Sequence, residues 1–138
     1  MPGPAPSMDP VRRNSRTGPL KLPAEGRSGP APDWPMTGRT SAAERQAWEQ
    51  LWSTPQAVAW ERLGVGTVRE VARYCRLLVQ AEKPSAAASV HSQATSLADR
   101  LGLTPKAMRM LLWEVVSDEV ADRRPQPTED VRSRIRAV

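Results

Sequence analysis

Phenylalanine is absent from this 138-residue chain, and cysteine, histidine and tyrosine occur once each. A single cysteine excludes an internal disulfide framework, and Cys75, set among apolar residues at helical spacing, reads as a buried thiol suited to a reducing compartment. The one histidine, His91, falls on the polar side of an Ala- and Ser-rich stretch, out of register with Cys75. No zinc ligand set and no nucleophile–base pair can be assembled from them, so His91 reads as a solvated surface group. No apolar run approaches the roughly 18 residues of a membrane span. No apolar stretch follows Met1-Pro2-Gly3-Pro4, which predicts a soluble, intracellular protein. Gly64-Val65-Gly66 lacks the lysine and hydroxyl of a phosphate-cradling loop and reads as helix punctuation. The carboxylates Glu114, Asp118, Glu119 and Asp122 read as a solubilising face rather than a metal site. These absences predict a protein that is not an enzyme, with no cofactor, no metal and no small-molecule substrate.

What is abundant is proline, with 14 in the chain and nine of them in residues 1–39. That segment has almost no aliphatic bulk and cannot bury enough apolar surface to offset chain entropy, so it reads as a disordered arm. It also carries most of the net charge of +5, with six basic against three acidic groups, while residues 40–105 and 106–138 each have seven against six. Arg12, Arg13, Arg16 and Lys21 supply the arm's cationic cluster, and Trp34 is expected to dock on the folded part. A flexible cationic segment suits a phosphate backbone, and each phosphate contact steepens the salt dependence of binding.

From residue 40 to 122 the pattern is helical. Ser41-Ala42-Ala43-Glu44 is a capping box ahead of Trp48, Leu51 and Trp52, and Thr54-Pro55 opens a short helix that ends near Gly64. Val68, Val71, Ala72, Cys75, Leu78 and Val79 recur at three- and four-residue steps and mark a third helix ended by Pro84. A fourth is expected from Ser85 to Leu101, and a fifth from Pro105 to about Ala121 with Met108, Leu111, Leu112 and Val115 inward. No stretch alternates with period two, so the predicted fold is all-α, a compact bundle of about five helices. In residues 123–138, Thr128 can cap a short helix carrying Val131, Arg132 and Ile135, a tail too short to be stable without a partner.

Residues 97–112 carry the most information. Gly102 can take a left-handed turn and Thr104-Pro105 supplies an N-cap with proline behind it, so two helices meet with helix-turn-helix spacing. Lys106, Arg109 and Met110 would face outward at the start of the second helix, where such units meet bases and phosphates. Two cations are few for an autonomous reader, and a structural corner is the plainer alternative. Arg69, Arg73 and Arg76 line one side of the third helix, but Glu70 can pair with Arg73, which favours a solvated face. Met110 and Trp113 sit off the inward stripe and leave a second apolar face. An oligomer is therefore expected, with Trp52, Trp60, Met110 and Trp113 as interface anchors.

Taken in order, several short motifs resemble the small terminase subunits of tailed actinobacteriophages. They are Arg12-Arg13-Asn14, Gly18-Pro19-Leu20-Lys21-Leu22, Pro32-Asp33-Trp34-Pro35, the Trp48/Trp52 spacing, Pro55-Gln56-Ala57 before Trp60-Glu61, Val71-Ala72-Arg73-Tyr74, and Leu101-Gly102-Leu103-Thr104-Pro105-Lys106-Ala107. The resemblance spans residues 10–115 and implies a non-enzymatic packaging factor in the cytoplasm of an infected bacterium. Such a factor forms a homo-oligomeric ring, binds double-stranded viral DNA and hands it to the large terminase subunit. Many members place a separate helix-turn-helix ahead of their oligomerisation helices, whereas the corner here lies late in the chain. The tail at Val131, Arg132 and Ile135 takes the position of a large-subunit contact. The second reading is a small helix-turn-helix transcriptional regulator binding an operator as a dimer. The third is a structural adaptor with no nucleic-acid contact.

Overall fold

The structure, a computed structural model, describes residues 18–117. Those residues are mostly helical, at 57%, with one small parallel strand pair. In chain order the elements are β1 (Leu20–Pro23), α1 (Ala42–Trp52), α2 (Pro55–Leu63), α3 (Val65–Ala81), α4 (Ala88–Arg100), α5 (Pro105–Leu111) and β2 (Trp113–Val116).

The local start signals act as their chemistry dictates. Ser41 accepts from the Glu44 amide at 3.1 Å, and the Glu44 carboxylate accepts from the Ser41 amide at 2.9 Å, closing the capping box of α1. Thr104 caps α5, accepting from the Ala107 amide at 3.2 Å while donating to Asp99 at 2.7 Å. Pro55 and Pro105 each open a helix, where the missing N–H costs nothing. The third helix stops at Ala81, three residues before Pro84, and the fourth begins at Ala88 with no side-chain cap.

Helix α3 is the centre, packed against α1, α2 and α4. Its apolar stripe, Val71, Ala72 and Cys75, is fully buried. Against it lies a run of tryptophans. Trp34 meets Trp48 edge-on at 5.1 Å, Trp48 meets Trp52 at 5.4 Å, and Trp52 meets Trp60 at 5.7 Å. Such edge-to-face pairs add to burial because the positive rim of one ring faces the negative face of the next. The Trp48 indole donates to the Pro32 carbonyl at 2.8 Å and the Trp60 indole to the Leu101 carbonyl at 2.9 Å, so rings from α1 and α2 also fix a loop and a helix end.

Three expectations are corrected. An all-α fold is replaced by a mostly helical one, because Leu20–Pro23 pairs in parallel with Trp113–Val116, Leu22 opposite Val115. The arm expected to be disordered over residues 1–39 is packed onto the core from Leu20 onward. Leu22 is fully buried, Trp34 stacks on Trp48, and Arg27 pairs with Glu61 at 3.0 Å while lying 5.6 Å over the Trp52 ring. Arg12, Arg13 and Arg16, and the tail with Val131, Arg132 and Ile135, lie outside the described residues. Finally, the last helix does not run to Ala121. It ends at Leu111, and Leu112 takes a left-handed conformation with φ of 56°. Leu111, Leu112 and Val115, expected inward, are exposed.

Candidate nucleic-acid interface

The corner joining α4 to α5 is built on a glycine. Gly102 has φ of +72°, and a Cβ there would lie 2.3 Å from the Trp113 ring, so the position needs both the conformational freedom and the empty space. The corner is also tied to α2. The Leu101 carbonyl accepts from Trp60, and the Gly102 carbonyl accepts from the Gln56 side chain at 3.3 Å. Ala107 is buried against the core, which turns Lys106, Arg109 and Met110 to solvent, the placement expected from the sequence. The second helix is short, seven residues.

Of the cations singled out, Lys106 and Arg109 therefore share one exposed face. Lys21 is exposed on β1, in register with Glu114 of β2, and this neighbouring carboxylate lowers its attraction for a phosphate. The structure does not gather Lys21 with Lys106 and Arg109 on one element.

The expected self-association anchors divide. Trp52 and Trp60 are 1% and 0% exposed and belong to the core, so they are not interface residues. The Trp-to-Trp stacking and the Trp60 indole bond turn them inward. Trp113 is half-buried, closing the corner over Gly102, whereas Met110 is 76% exposed. Around Met110 the chain leaves Leu111, Leu112 and Val115 in water, an apolar surface continuous in sequence across α5 and β2.

The fold also assembles a group of arginines. Arg73 and Arg76 of α3 line a cleft with Arg100 of α4, and Arg69 lines an adjoining hollow with Arg73 and Arg76. Arg73 pairs with Glu70, as their spacing predicts. Arg76 lies 3.7 Å from Glu44, donates to the Thr37 carbonyl at 3.2 Å and stacks 5.6 Å over Trp34. The i, i+4, i+7 spacing of the three α3 arginines was visible, but nothing in the sequence placed Arg100 beside them.

Two titrations follow from this packing. Burial pushes the Cys75 thiol up to about 12, with the Glu44 carboxylate adding to the rise. The Arg27 guanidinium, hydrogen-bonded to Glu61, holds that carboxyl below its ordinary range. His91 is exposed, and among the described residues no group of three or more His, Cys, Asp or Glu side chains could hold a metal ion. Among them, too, no helix is long and apolar enough to cross a membrane. Set against family models, curated proteins and solved structures, the chain matches none.

Proposed function

We propose that the chain is a small terminase subunit, a non-enzymatic factor that assembles with copies of itself, holds double-stranded viral DNA and recruits the large terminase subunit. The reading rests on the ordered motifs between Arg12 and Ala107. It is carried by one observation, that α5 presents exposed Lys106 and Arg109 beside exposed Met110 and Leu112. Two cations per chain are too few to hold a duplex alone. An assembly that covers the apolar residues repeats those cations once per copy, and multivalency converts weak contacts into retention. Arg12, Arg13 and Arg16 add a second cationic segment, and the tail at Val131, Arg132 and Ile135 is assigned to the large subunit. The place of action is the cytoplasm of the infected host. Self-contact is assigned to Met110, Leu111, Leu112 and Val115 with the edge of Trp113, in place of Trp52 and Trp60.

The anchored corner between α4 and α5 also favours a second reading, a dimeric transcriptional regulator. A regulator protects a short palindrome far more tightly than background DNA, whereas a packaging subunit shows modest preference and a steep salt slope. The test is duplex binding by the full chain across a salt series, with Arg12, Arg13 and Arg16 replaced by alanine in parallel. Removing three phosphate contacts should weaken binding to all sequences alike and flatten the log–log salt slope by about three. A wild-type chain that ignores duplex DNA at low salt would remove both DNA readings and leave the adaptor.

A further inference from the structure

Helix α3, helix α4 and the stretch from Pro35 to Thr37 leave an open cleft of about 420 Å³ with a mostly apolar lining that includes Met36, Leu77 and Leu97. Arg73, Arg76 and Arg100 also line it, and past Met36 it continues into a hollow of about 170 Å³ that Arg69 lines. The four guanidiniums are not equivalent. Arg73 is engaged by Glu70 and Arg76 by Glu44, whereas Arg69 and Arg100 have no carboxylate within 4.0 Å among the described residues. An uncompensated cation at the apolar cleft and a second at the adjoining hollow select a ligand bearing carboxylates and an aliphatic side chain together. A nucleic-acid backbone would match the charges but leave the apolar lining wet.

The chain itself holds such a segment. Asp118-Glu119-Val120-Ala121-Asp122 sets three carboxylates around a valine, and no basic residue occurs from Trp113 to Asp122. The segment begins one residue past the described part, directly after the exposed Val115 and β2. We propose that the α3/α4 cleft of one copy binds the Asp118–Asp122 segment of a second copy. A neighbour is favoured over the same chain because Met110, Leu111, Leu112 and Val115, just ahead of the segment, are left uncovered within one chain and are covered by the same docking event. Cleft and segment are different surfaces, so the contact is head-to-tail, and head-to-tail contacts close into rings when the rotation permits. The inference rests on the self-assembly in the reading above and is independent of its DNA contacts.

Sedimentation velocity on two charge-reversed full-length chains tests it, one with Arg69→Glu and Arg100→Glu, the other with Asp118→Arg and Asp122→Arg. Arg69 and Arg100 are exposed and without a carboxylate partner among the described residues, and circular dichroism checks that each variant keeps the wild-type helix content. Each variant alone should need at least about ten-fold more protein to assemble, because both of its contacts set like charges together. The equimolar mixture should assemble at the wild-type concentration, since each variant's cleft matches the other's segment and the copies alternate. Wild-type assembly by either variant, or a mixture no better than its components, overturns the proposal while self-assembly stands. An assembled Arg69/Arg100 variant that instead releases duplex DNA makes the cleft a phosphate site and overturns it equally. A monomeric wild type removes the cleft contact and the self-assembly reading together.

Discussion

Gly102 shows how much of this molecule turns on a few atoms. Its φ of +72° and the Trp113 ring 2.3 Å from where a Cβ would stand make it the hinge pin of the α4–α5 corner. Gly102→Ala should cost about 1–3 kcal/mol through left-handed strain and displacement of that ring, read as a lower denaturant midpoint at unchanged slope. Gly26 is a second such point, with φ of +82° and the Ser53 carbonyl occupying its Cβ position. Cys75 makes a different prediction. Burial raises its folded pKa from the ordinary 9.0 to about 12, so the folded state binds the proton more tightly and the unfolded state ionises first. Stability is therefore full below about pH 9, does not vary with the thiol's titration in the neutral range, and falls as pH rises towards 12. The thiol should resist alkylation in the native protein at pH 8 and react fully in denaturant. A native thiol that labels as fast as the denatured one would contradict its burial. For Glu61 the sign is opposite. Its lowered pKa stabilises the fold above the ordinary carboxylate range, and that contribution is lost as pH falls through the folded value.

Among the elements, the helices were legible and the strands were not, for physical reasons that particular residues display. Ser41 with Glu44, Thr104 with Pro105, and the Val71–Cys75 stripe act locally, so their chemistry survives in a linear reading. The strands are four residues each and separated by every helix, and their pairing brings together the two ends of the described chain. Leu20-Lys21-Leu22 alternates over too short a span to announce a strand. Trp113-Glu114-Val115-Val116 continues the three- and four-residue spacing of α5 and reads as helix. What ends that helix is the left-handed turn at Leu112, which no glycine marks, and the β-branched pair that follows it. The interface was half legible. Met110 is exposed as its position off the inward stripe implied, while Trp52 and Trp60 were misassigned because a tryptophan's inward or outward choice depends on partners far along the chain. The strand pair makes its own prediction. Leu22→Ala should destabilise the fold by about 2–5 kcal/mol, since Leu22 is fully buried. Lys21→Ala, next door on the exposed face, should stay within about 0.5 kcal/mol. Equal effects in a urea titration would contradict the observed register.

As a molecule, the described chain has an apolar interior and an exterior that leaves further apolar surface in water. Its buried residues are apolar without exception among those described; the Trp48 and Trp60 indoles donate to carbonyls, while the buried Trp34 and Trp52 indole N–H groups have no hydrogen-bond partner. Outside, Met110, Leu112 and Val115 face water beside Lys106 and Arg109, and an arginine cleft stands open between α3 and α4. An exposed apolar patch beside cations fits a protein that acts in copies on a polyanion. Native mass spectrometry of the full-length chain, alone and with a duplex, tests that most directly. The account predicts one discrete multi-copy species that takes up a single duplex without changing its number of protein chains. A monomer that stays a monomer and leaves the duplex free would contradict it.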